Sequence, residues 1–277
     1  MHPNMPGIDI PETDVVPLDD IAAGVVGLRI VLVNVFGIRT SQGWVLIDAG
    51  LAGSAAWIQR WARRHFGDQP PLQIVLTHAH FDHVGALDAL AHAWNVPVFV
   101  HAAEFPYLTG ERAYPPPDAS VGGGLMARMA GLYPRGPEQF DGDLTVLPDT
   151  GRVPHLDDWR WVHTPGHSAG HVSLFREIDR TLIVGDAFCT TRQESFLSVA
   201  TQDPELHGPP AYFTTDWDAA RASVRQLAAL HPSVIAPGHG RAMAGPQMET
   251  ALDRLAAEFD VLARPDQGRY VEHPQRG

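Results

Sequence analysis

The segment Thr77-His78-Ala79-His80-Phe81-Asp82-His83 sets the tightest limit on what this chain can become. Three imidazoles and a carboxylate fall within six residues, directly after the apolar run from Leu72 to Leu76. Neutral imidazole nitrogen and carboxylate oxygen suit zinc and its borderline neighbours, and four such groups on one tight loop exceed what a single closed tetrahedral site would draw from it. The competing explanation is a merely polar loop in a chain with 15 histidines. A chance match to His-x-His-x-Asp-His is expected in roughly one in a few hundred such sequences. The segment therefore implies two metal ions and a fold that brings further ligands to the end of a buried strand.

Three more residues stand in the context that would complete such a centre. His167 lies in Thr164-Pro165-Gly166-His167, Asp186 in Val184-Gly185-Asp186, and His239 in Pro237-Gly238-His239-Gly240. Each follows a predicted strand, and loops at one end of a sheet are where distant ligands converge. Alone, each is weak, since a lone histidine in a loop is more often a plain hydrogen-bonding residue. Asp48, at another strand end, is positioned to accept a hydrogen bond from a ligand histidine or to cap the turn before Gly50. His171 and His163 fit the surroundings of the centre or, more plainly, satisfied histidines near strands. His101 reads as structural.

Around these residues the pattern is that of an α/β protein. Val25 to Val35 is rich in β-branched residues and is followed by Gly37 and Gly43, a hairpin-like break. Strands are predicted over Trp44 to Ile47, Leu72 to Leu76, Val96 to Val100, His171 to Phe175, Thr181 to Val184 and Val234 to Ala236. Helices are predicted over Ser54 to Phe66, Val84 to Trp94, Trp217 to Leu230 and Met248 to Ala263. Glu104 to Asp149 breaks the rhythm with Pro115-Pro116-Pro117, Gly122-Gly123-Gly124 and a short helical stretch from Leu125 to Leu132. Residues 1–277 are expected to form one domain, with 104–149 as a lid-like insertion over the site or a surface loop.

The ordered set resembles the metallo-β-lactamase superfamily from about Val25 to His239. The matches are Asp48-Ala49-Gly50, the His78 to His83 motif, His163-Thr164-Pro165-Gly166-His167 with Gly170-His171, Gly185-Asp186 and Pro237-Gly238-His239. The resemblance implies a four-layered αβ/βα sandwich with two metals at one edge of its sheets. It puts His78, His80 and His167 on one metal, Asp82, His83 and His239 on the other, and Asp186 between them. Two divalent cations lower the pKa of a bridging water, making hydroxide available near neutral pH, and polarise the bond under attack. Asp82 would orient that hydroxide or pass a proton to the leaving group, or serve only as a ligand.

The branch is narrowed by what this sequence lacks. Binuclear β-lactamases of the family carry cysteine where Asp186 stands and no histidine at the position of His83. The seven-residue set looks more like hydroxyacylglutathione hydrolases, acyl-homoserine lactonases and phosphodiesterases. Glutathione thioesterases use a basic C-terminal patch, but Arg241 to Gln247 offers only Arg241. The lactonases place a tyrosine three residues after the bridging aspartate, where this chain has Cys189. Phe188 and Cys189 are expected in the substrate wall, unless Cys189 is a small core residue.

A net charge of −12 works against nucleic acid and anionic membrane as partners and favours a small-molecule substrate. Hydrophobic residues at 44% and charged residues at 19% suffice for a buried core. The N-terminal stretch shows neither a basic segment nor an apolar run, and Cys189 is the single cysteine, so a cytoplasmic location is expected. The expected activity is hydrolysis of a small ester, lactone or thioester with two divalent ions. Zinc is the default, and manganese, iron or cobalt suit the same donors. The alternatives are a phosphodiesterase or nuclease of the same fold, a mononuclear-iron persulfide dioxygenase, and a metal- and ligand-binding sensor without turnover.

Overall fold

The computed structural model describes residues 8–9, 11–122, 128–136 and 139–275. Two six-stranded sheets dominate, one from each half of the chain. The first contains β1 (Val25–Ile30), β2 (Val33–Arg39), β3 (Trp44–Ile47), β4 (Ile74–Val75), β5 (Val98–Val100) and β6 (Leu144–Val146), side by side in that order. The second contains β7 (Arg152–Val153), β8 (Leu156–His163), β9 (Val172–Arg176), β10 (Thr181–Gly185), β11 (Val234–Pro237) and β12 (Met243–Ala244), also in sequence order.

Alternation along each strand sorts the side chains into layers. In β2 and β3, Val33, Val35, Trp44 and Leu46 face α1 (Ala55–Phe66) and α3 (Leu87–Trp94). Phe36, Ile38, Val45 and Ile47 face the other way, meeting Val172, Leu174, Ile183 and Ala236 of the second sheet. Leu182, Val184 and Ile235 pack outward against α4 (Trp217–Ala228) and α5 (Pro246–Ala257). The result is a four-layered αβ/βα sandwich, with each fully buried aliphatic side chain contributing about 1.5–3 kcal/mol. The helices follow their sequences: α1 buries Ile58, Trp61 and Ala62 at helical spacing, and the Asp216 carboxylate caps α4 by accepting from the Asp218 and Ala219 amides.

Several boundaries differ from the sequence reading. The first hairpin turns at Val31 and Leu32, inside the apolar run, with Val31 at φ 61°. Gly37 is not a turn residue but lies within β2, where a β-carbon would stand 2.5 Å from the Phe66 ring. The Val84 to Trp94 run divides, so that α2 (Phe81–Val84) carries Asp82 and His83 on one turn before α3. Met248 to Ala263 likewise covers α5 and a separate short helix, Phe259–Leu262. The eight-residue β8 was not anticipated, because Asp157, Asp158 and Arg160 interrupt its apolar pattern. Within 104–149, Leu144–Val146 is the edge strand of the first sheet. The helical stretch expected from Leu125 to Leu132 falls partly outside the described residues; in its described part Arg128 and Met129 are helical and Ala130–Leu132 is a 3-10 turn. Among the described residues no helix is long and apolar enough to cross a membrane.

Candidate metal centre

The residues singled out by sequence meet at one edge of the sandwich because of strand direction. β3 and β4 are parallel, β10 and β11 are parallel, and β9 runs antiparallel to both β8 and β10. The C-terminal ends of β3, β4, β8, β10 and β11 therefore deliver Asp48, the 77–83 loop, His167, Asp186 and His239 to the same place. All of these side chains are buried.

One group comprises His78, His80 and His167. His80 Nδ1 lies 3.0 Å from His78 Nε2 and 2.8 Å from His167 Nε2. A second group comprises Asp82, His83 and His239, with Asp82 Oδ2 3.3 Å from His239 Nε2. Asp186 stands between them, Oδ2 being 3.5 Å from His167 Nε2 and 3.1 Å from His239 Nε2, and Oδ1 3.4 Å from His83 Nε2.

Neighbouring groups fix which nitrogen of each ring faces inward. His83 Nδ1 donates to Asp48 Oδ2 at 2.8 Å, and Asp48 also accepts from the Thr77 amide and hydroxyl, each at 2.8 Å. Because the Thr77 hydroxyl is committed to Asp48, it is free to accept from His78 Nδ1 at 3.1 Å, leaving His78 Nε2 for the centre. His239 Nδ1 donates to the Leu32 carbonyl at 2.8 Å. Asp48 holds φ 61°, an unfavourable region for a residue with a side chain, and its three bonds offset that strain. His171 accepts the Asp186 amide at Nε2, 2.8 Å away, with Nδ1 held by Thr164. His163 is exposed and stacks on His101 at 4.3 Å, away from the centre.

The donors fit a pair of cations. His83 Nε2 and Asp186 Oδ1 are both buried without a hydrogen-bond partner, although they face each other. Buried polar atoms are rarely left so, and a cation between them would satisfy both. Without metal, protons stand in. Burial opposes charge on His239, but Asp186 and Asp82 outweigh it and push its pKa up to about 10. His83 is likewise raised well above the ordinary range, Asp186 and Asp48 overcoming its burial. On the other side, burial and the neighbouring imidazoles hold His78 and His167 well below that range, and burial takes His80 to about 4. Burial works to raise Asp82, yet the bond from His239 and the charge of His83 keep it below the usual carboxylate value.

Sequence reasoning missed three supports. Asn34, a polar residue in a β-branched run, donates through Nδ2 to the carbonyls of Pro237 and Gly240, tying the first hairpin to the His239 loop. Glu104 is wholly buried between the two histidine loops. Its carboxylate accepts from the Ala79 amide at 3.0 Å, the Ser168 hydroxyl at 2.8 Å and the Gly170 amide at 2.7 Å, as well as from the Tyr114 hydroxyl. Tyr114 in turn lies against the His80 ring, with centroids 4.2 Å apart. Asn34 was detectable as a polar intrusion in a strand, whereas nothing local distinguished Glu104 or Tyr114.

Phe188 and Cys189 take packing positions. Both are 0% exposed, and Phe188 belongs to the core under α4 and α5. The short link from Asp186 turns them inward, and Cys189 pairs through its backbone with His207. The aromatic groups beside the centre are Phe81, stacked on Tyr133 at 5.4 Å, and Phe213, 5.0 Å from His80.

The model of the metallo-beta-lactamase superfamily matches residues 28–239. The chain is 43% identical over 245 residues to the probable metallo-hydrolase YflN of Bacillus subtilis (strain 168), covering 87% of this chain and 93% of that one. Its fold is similar to that of BLEG-1, a B3 metallo-beta-lactamase, with a TM-score of 0.57 and 24% identity over 81% of this chain and 95% of the other. It is also similar to TTHA1623 in a di-iron-bound form, with a TM-score of 0.54 and 26% identity over 82% and 96% of the two chains. The family match begins in β1 and ends on His239, the last of the clustered residues, so that all the donors and every strand from β2 to β11 fall within it: this chain belongs to the metallo-β-lactamase superfamily.

Proposed function

We propose that this metal-dependent hydrolase holds two divalent cations and cleaves small carboxylic esters, lactones or thioesters. The observation that carries the reading is the sharing of Asp186 between two groups of donors, with one of its oxygens and His83 Nε2 left unpaired. His78, His80 and His167 would hold one ion, Asp82, His83 and His239 the other, and Asp186 would bridge them. Bound there, the ions would supply a water of lowered pKa and a Lewis acid for the carbonyl. Zinc is the default for these donors, and iron, manganese and cobalt fit them too.

The chain's own groups complete the chemistry. Asp82, anionic at neutral pH, takes the proton of the attacking water and returns one to the departing alcohol or thiol. The bond from carbonyl carbon to oxygen or sulfur breaks as the new carbon–oxygen bond forms. Phe81, Tyr133 and Phe213 give the approach an apolar wall suited to an organic acyl group, and the net charge of −12 disfavours a polyanion.

A panel of lactones, thioesters, aryl esters and phosphodiesters, assayed on metal-reconstituted protein beside an oxygen electrode, tests this reading. Hydrolysis of an acyl substrate without oxygen uptake is expected. Exclusive phosphodiesterase activity, or oxygen consumption with a persulfide, would contradict it.

A further inference from the structure

A cavity of about 420 Å³ opens beside the metal centre, and its lining includes His167, Ser168, Tyr114, Thr215, Arg112 and Arg135. His167 belongs both to this wall and to the nitrogen cluster. No acidic side chain contributes to the described lining, in a chain whose net charge is −12. Some arginines elsewhere are ion-paired, as Arg176 is with Asp179, Arg192 with Glu205 and Arg241 with Glu12. Among the described residues, neither Arg112 nor Arg135 forms an ion pair.

Each of the two arginines is anchored by hydrogen bonds. Arg135 donates through Nη1 to the Tyr114 carbonyl at 3.3 Å, and its own carbonyl accepts the Tyr114 amide at 2.9 Å. The Arg112 amide is held by the Pro106 carbonyl at 3.0 Å, and Arg112 lines the cavity beside Tyr107. Tyr107 stacks on Tyr114 with centroids 3.9 Å apart, so the wall carrying Arg112 is braced against the wall carrying His80. Two guanidiniums lining one concave site form an ordinary recognition pair for an oxyanion.

We infer that Arg112 and Arg135 bind an anionic group on the substrate, so that the hydrolysed ester, lactone or thioester carries a carboxylate or phosphate on the arm away from the scissile bond. This inference rests on the hydrolase reading and deepens it. It also explains how a strongly acidic protein accepts an anionic substrate: the long-range field repels, and a local pair of solvent-exposed cations on the cavity wall reverses the sign at close range.

The test compares matched thioesters ending in a carboxylate, a phosphate or an uncharged amide, using the metal-loaded wild type and the variant Arg112→Gln/Arg135→Gln. Wild type is expected to prefer one of the charged substrates, and which one distinguishes carboxylate from phosphate recognition. The double variant is expected to raise KM for that substrate about 10- to 100-fold, with kcat and the rate on the neutral substrate little changed. Succinate and inorganic phosphate, titrated calorimetrically, give a readout independent of turnover: one should bind wild type and lose its binding in the variant. Equal KM values for charged and neutral substrates in wild type, or an unchanged KM in the variant, would overturn the anion site while leaving hydrolysis intact. Failure to hydrolyse any of the three, together with failure on the lactone and aryl ester panel, would instead overturn the hydrolase reading, and with it this inference about the substrate.

Discussion

A β-carbon at Gly238 would stand 2.2 Å from Asp186 Oδ1 and 2.8 Å from His83 Cε1, so the backbone before His239 is pressed against the centre itself. Gly238→Ala must push either the loop or Asp186 aside. We expect the variant to fold, to lose at least one metal ion, and to lose turnover about 100-fold, since misplacing a reacting group by about 1 Å has that effect. Full metal content by elemental analysis, together with normal turnover, would refute the packing argument. Asp186→Ala tests the bridge more directly. It would remove the carboxylate from between the two proposed cations, which repel each other, so one ion should be lost along with most of the activity, and circular dichroism should remain native. Retention of both ions would exclude a bridging role.

At the scale of elements, the two histidine loops are not independent, because the Glu104 carboxylate is bonded to Ala79 in one and to Ser168 and Gly170 in the other. Glu104→Gln keeps the shape but turns a hydrogen-bond donor toward groups that also donate. Metal affinity, measured by competition with a chelator, should weaken about 10- to 100-fold, and an unchanged affinity would make Glu104 mere packing. The contrast with the ligands shows what a sequence can carry. His78, His80, Asp82 and His83 lie within one short segment, Asp186 and His239 each follow an apolar strand, and His167 stands in the Thr164-Pro165-Gly166-His167 turn, so chain order and local context sufficed to group them. Glu104 meets its partners only through the fold, at separations of 25 and 64 residues. Strand boundaries failed where long-range packing overrides local signals. Gly37 resembles a turn residue until the Phe66 ring is placed over it, and β8 is masked by the exposed charges of Asp157, Asp158 and Arg160.

For the whole molecule, the centre makes stability depend on metal and pH together. In metal-free protein, His80 and His171 are held down to about 4 and about 3, chiefly by burial, against 6.5 for a free imidazole. The unfolded chain therefore binds protons that the folded one refuses, and stability present above pH 6.5 is lost as the pH falls toward 3. His239 has the opposite sign: raised to about 10, it contributes stability below pH 6.5 that is lost as the pH climbs through 10. Thermal unfolding of metal-free protein across this range should show both losses, and a flat profile would contradict the burial of these rings. Bound metal must displace the protons on His83 and His239, so uptake near neutral pH should release protons. The central claim, that seven side chains form a two-metal hydrolytic centre, is tested most directly by titrating zinc into chelator-stripped protein while metal content and thioester hydrolysis are followed together. Activity rising to a plateau at about two ions per chain, with no oxygen consumed, is the predicted result. A plateau at one ion, or full turnover before any metal is added, would contradict it.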